Sequence, residues 1–142
     1  MISTHNAGFF SCCTVRLSDI VEYIRKTHEL PEVDSSAQFA WYKNVNDNDN
    51  NNMNTDITFH YFQDYHPIYK YPIDIDFHWK YQFMDYTKID NKIYPIVRKY
   101  FAPSEEIKQI ISMMENKYNI DYDNTCVLFY RGNDKNTETK IC

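Results

Sequence analysis

Ten of the thirteen residues from 44 to 56 (NVNDNDNNNMNTD) are Asn or Asp, and no other stretch limits the fold as sharply. Their short polar side chains bond to nearby backbone and favour turns over regular ladders. The run is therefore expected as a surface loop or short solvated linker. A calcium loop beginning at Asp47 fails on two positions. Asn52 stands sixth, where a Gly makes the sharp turn, and Thr58 stands twelfth, where a bidentate Glu belongs.

Apolar periodicity gives the elements on either side. Leu17, Ile20, Val21 and Ile24 recur at i, i+3, i+4, i+7, so one face of a helix over 15–27 is apolar, with Ser11 or Thr14 as the capping oxygen and Pro31 beyond its end. Pro95 can open a short helix through Phe101. Ser104, with Glu105 and Glu106 behind it, can cap a stronger one, whose stripe Ile107, Ile110, Ile111 and Met114 is expected in the core. Ile73, Ile75, Phe77 and Trp79 alternate with Asp74, Asp76 and His78 as in a half-buried strand. Ile57, Phe59 and Tyr61 offer a weaker strand. Residues 119–124 form a polar turn before the apolar run 125–130, expected as a buried strand. Helix, turn, buried strand and Gly-containing loop in succession point to an α/β fold: a Rossmann-like open sheet with flanking helices.

Composition removes several classes. The 142-residue chain carries a net charge of −5 without a basic cluster, which argues against nucleic-acid binding. The longest apolar run is far short of the ~20 residues of a membrane span, and the first residues lack a secretory pattern. A soluble cytoplasmic domain is expected. The four cysteines show no C-x-x-C spacing. Cys12 or Cys13 could act as a nucleophile only if His5 or His28 were brought to it. His60, His66 and His78 with Asp64, Asp74 and Asp76 match no metal-ligand spacing, so no metal is expected. Aromatic side chains in the 61–86 region could alternatively stack on sugar or base faces.

Arg131-Gly132-Asn133-Asp134-Lys135-Asn136-Thr137-Glu138 follows the last apolar run. An open α/β sheet binds its ligands just beyond a strand's carboxyl end. There, Arg131 can grip phosphate oxygens through two parallel bonds. Gly132 allows close backbone approach, Asn133 tolerates a left-handed turn, and Asp134 can orient Arg131 or Lys135. A plain turn fits the same residues.

Phe-Tyr-Arg-Gly-Asn-Asp-Lys-Asn-Thr-Glu (129–138) resembles the H-x-R-R-x-D-K segment, followed by Thr-Glu, of the GDP-fucose-dependent fucosyltransferases. The pattern is nearest to the core α1,6-fucosyltransferases and their bacterial nodulation counterparts. Phe129 stands where that family has His, and Gly132 where it has a second Arg. The resemblance implies a two-lobed GT-B architecture, a GDP-sugar donor, no metal and a glycan or protein acceptor. It implies that Arg131 stabilises the leaving pyrophosphate, that Asp134 and Lys135 brace it, and that Thr137 and Glu138 line the same wall. Ala7-Gly8-Phe9-Phe10 is similar to the glycine loop opening the first lobe, which would add Gly8 to the site. Residues 1–118 would then form the first lobe and 119–142 the opening of a truncated donor lobe. The alternative is a non-catalytic α/β binding or interaction module.

Overall fold

The computed structural model describes residues 1–43, 55–63 and 90–126. Four α-helices occur there: α1 (Phe9–Thr27), α2 (Thr58–Tyr61), α3 (Tyr94–Phe101) and α4 (Glu105–Tyr118). Single 3-10 turns at Ala40–Tyr42 and Asn91–Ile93 complete the regular structure. By internal contacts the chain divides into Met1–Gln109 and Ile110–Cys142.

The expected Rossmann-like open sheet is contradicted. Of the described residues 57% are helical and none is in a strand. Among the described residues two isolated bridges occur, Ile2 with Asp34 and Phe62 with Pro103. The segment 57–61 shows why alternation misled. Three alternating positions also place Ile57 and Tyr61 at i and i+4, and both pack in one cluster with Cys12 and Phe39. Phe59 points outward, as helical spacing requires. Asp56 fixes this turn by accepting from the Thr58 and Ser35 amides at 2.9 and 2.7 Å. Thr125 and Cys126, expected to open a buried strand, are exposed and unpaired with any strand. The remainder of that run, the expected strand at 73–79 and the loop at 44–54 lie outside the described residues.

The helix expected over 15–27 begins six residues earlier, at Phe9. Phe9, Cys12 and Cys13 extend the apolar face by one more turn, so packing carries the helix past Ser11 and Thr14. Neither serves as its cap. Gly8 precedes the helix without a side-chain bond, and the Phe9 amide donates instead to the Tyr42 hydroxyl at 2.7 Å. At the other end His28 takes a left-handed φ of 58° and donates its N–H to Ile24 O at 2.8 Å.

Leu17, Ile20, Val21 and Ile24 pack with Val33, Ile93, Ile96 and Tyr100 in the main core. Arg16 lies on the same helix, α1, and is wholly buried. Its Nη1 donates to the Tyr100 carbonyl at 3.0 Å, and its guanidinium sits 5.2 Å from the Phe101 ring centre. That carbonyl ends α3, where no intrahelical N–H remains to satisfy it. The Tyr100 hydroxyl reaches the opposite way and donates to Pro31 O at 2.8 Å. Tyr100 thus ties α3 to the chain after α1, while Arg16 ties α3 to α1 itself.

Two substitutions measure this clasp by urea unfolding. Tyr100→Phe is expected to cost about 1–2 kcal/mol, because it strands a buried carbonyl. Arg16→Ala is expected to cost about 3 kcal/mol by losing that bond and leaving a cavity. A loss below 0.5 kcal/mol for both (about the scatter of surface substitutions) would show that the clasp contributes nothing.

Candidate functional site

Most residues of the expected donor site, namely Arg131, Gly132, Asn133, Asp134, Lys135, Thr137 and Glu138, lie outside the described residues. Gly8 is described, and its geometry gives glycine no special role. Its φ is −56°, open to any residue, and a Cβ there would meet nothing within 4 Å. Gly8 is the residue before α1 and borders no close backbone approach.

The cysteine pair beside it does not form a nucleophile. Cys12 is fully buried, and its thiol donates to the carbonyls of His5 at 3.3 Å and Ala7 at 3.5 Å. Burial pushes the Cys13 thiol up to about 12, with the nearby Arg16 charge only partly opposing it. His5 turns its Nε2 to Ser11 Oγ at 3.0 Å, and His28 ends α1. A half-buried thiol held at so high a pKa is neutral at physiological pH and a poor attacking group. Among the described residues no group of three or more His, Cys, Asp or Glu could hold a metal ion. His60 lies on α2, and the other members of the imagined cluster are outside the described residues.

The most distinctive surface is on α4. Ser104 starts the helix as expected: its Oγ accepts from the Ile107 amide at 3.3 Å and donates to His60 O at 2.9 Å. Glu105 and Glu106 occupy the first turn, where they complement the positive end of the helix. The Lys108 ammonium donates to Glu105 at 2.6 Å, and this bond holds the Glu105 carboxyl below the usual carboxylate range. At the far end Asn119 adopts φ 47°, and the Ile120 amide closes on Glu115 O at 3.1 Å, a Schellman-type ending. The Tyr122 hydroxyl donates to the Glu115 carboxylate at 2.6 Å, which raises its own pKa. The polar turn at 119–124 continues with Asp121, which accepts from the Asp123 amide at 3.1 Å.

The expectation that α4 packs its stripe into the core is not met. No α4 residue is buried. Ile110 and Ile111 are each 40% exposed, Met114 47%, Met113 63% and Tyr118 61%. Ile107 is half-buried. Periodicity alone could not distinguish this face from a core face, because both follow the same spacing. Met113 and Tyr118 were the overlooked residues. They widen the apolar band, Met113 with an adaptable thioether and Tyr118 with a large ring, both suited to a contact surface.

No family model matches this chain, and no curated protein or solved structure matches it. Among the described residues no helix is long and apolar enough to cross a membrane.

Thiol reactivity tests the assignment of the cysteines. In native protein at pH 8, iodoacetamide is expected to modify exposed Cys126 at the rate of a free thiol. Cys12 and Cys13 are expected to react only after unfolding, as read by peptide mass mapping. Fast modification of native Cys13 would show that its thiol is neither shielded nor raised in pKa.

Proposed function

We propose that this chain is a protein-interaction module that docks a partner along α4. The observation that carries the reading is the exposure of Ile110, Ile111, Met113, Met114 and Tyr118 on a helix whose two ends are both firmly fixed. Covering one large apolar side chain contributes about 1.5–3 kcal/mol, so even part of this band can drive association. An apolar band of this kind marks a contact surface more often than a scattering of single residues does. The nucleotide-sugar transferase expectation keeps its sequence resemblance at 129–138 as support, but it loses the support of an open sheet in the described residues.

The reading is tested by polar substitution within the stripe. Ile111→Lys combined with Met114→Lys is expected to leave the melting temperature within about 2 °C of the parent, as for other exposed positions. The same pair is expected to abolish the photo-crosslinks formed by benzoylphenylalanine placed at Met113, with exposed Glu29 as the control position. A fall of more than about 5 °C would return the stripe to the core and end the docking reading.

A further inference from the structure

We infer that the partner is a second copy of this chain, its α4 laid antiparallel along the first. The inference rests on the reading of α4 as a docking helix and names what covers it. Ile107, Ile111, Met114 and Tyr118 follow one another at steps of four, three and four. These are the d and a positions of a heptad, and their side chains form one seam along the helix. Lys108 and Glu115 then both fall on e positions, seven residues apart and on the same edge of the seam. Ile110 and Lys117 occupy the g positions on the other edge.

Orientation follows from these flanks. In an antiparallel pair, e faces e of the other helix. Lys108 of each copy then meets Glu115 of the other, giving two symmetry-related opposite-charge contacts. In a parallel pair, g faces e, which sets Ile110 against Glu115 and offers no ion pair. Antiparallel packing also places the acidic first turn (Glu105, Glu106) beside the basic last turn of the other copy, where Lys117 stands. The dipoles of the two helices then run in opposite senses.

Ser104 fixes the start of α4 by donating to the carbonyls of His60 and Tyr61. The local bonds of Lys108 to Glu105 and Glu115 to Tyr122 are exposed and exchange at little cost.

The seam is short. A helix of 14 residues is about 21 Å long. Two such helices bury less than the ~1,600 Å² of a standard interface, so the dimer is weak and reversible, with a Kd on the order of 100 µM.

Charge exchange tests both partner and orientation in the full chain by sedimentation equilibrium. Lys108→Glu alone and Glu115→Lys alone each set like charges at both contacts. Each is expected to weaken self-association about tenfold at low salt, and less at high salt. An equimolar mixture of the two variants pairs opposite charges again and is expected to associate like the parent, as is the doubly exchanged chain. Parent protein that stays monomeric at 500 µM overturns the inference (~fivefold above the expected Kd). So do single exchanges that associate like the parent, or a mixture that fails to recover. If the parent is monomeric while Ile111→Lys/Met114→Lys leaves the melting temperature unchanged, only the choice of partner fails. If that pair lowers the melting temperature, the docking reading fails with it.

Discussion

A buried guanidinium organises the first unit. Arg16 stands on the core face of α1, four residues after Cys12 and four before Ile20, both fully buried. Placing a charge there is costly unless its donors are satisfied and its plane is covered. The Tyr100 carbonyl near the end of α3 accepts from the Arg16 Nη1, and the Phe101 ring lies 5.2 Å from the guanidinium. An apolar residue of the same size could fill the space, but it would leave the end of α3 without a donor. The cation therefore fixes where α3 ends against α1, and with it the register of Ile93, Ile96 and Tyr100 against Leu17, Ile20 and Ile24. Tyr100 extends this restraint to the chain at Pro31.

That arrangement explains which elements could be read from sequence. The α1 stripe, the opening of α3 at Pro95 and the Ser104 cap of α4 all rest on local rules: spacing, a fixed φ, and a hydroxyl aimed at a helix start. They were legible because neighbours only reinforce them. The start of α1 was not, since Phe9 and Cys12 gain their helical preference from Phe39 and Ile57, which are distant in sequence. The segment 57–61 failed for the same reason. Its three apolar residues fit two periods, and the choice between them belongs to Asp56 and to the cluster around Cys12.

The site was less legible than the fold. Reading a ligand loop at 131–138 required a sheet whose edge would present it, and the described residues supply helices instead. Gly8 was attractive as part of a glycine loop, yet its backbone is ordinary and its surroundings open. Conversely, the α4 stripe was visible as a pattern but not as a surface. An amphipathic face reports that something apolar will cover it, and does not say whether that cover comes from within the chain.

The two long helices differ in how they begin and in how much they bury, and the contrast bears on α4. A helix of about 14 residues is marginal in water without packing. α1 has packing along its length and begins without a side-chain cap, its first amide held by the Tyr42 hydroxyl. α4 has no buried residue, yet it carries a hydroxyl cap, acidic residues in the first turn, a Glu105–Lys108 pair and a Schellman-type ending. α1 has local pairs and a left-handed ending too (Glu22 with Arg25 and Lys26, His28 beyond), so what sets α4 apart is that it holds such restraints with no buried residue. Such a helix is already formed before any partner arrives, so docking it avoids much of the entropy lost when a flexible segment must first become ordered. The apolar band and the terminal restraints of α4 are thus two halves of one design: the first supplies the driving force for contact, and the second holds it in a single orientation.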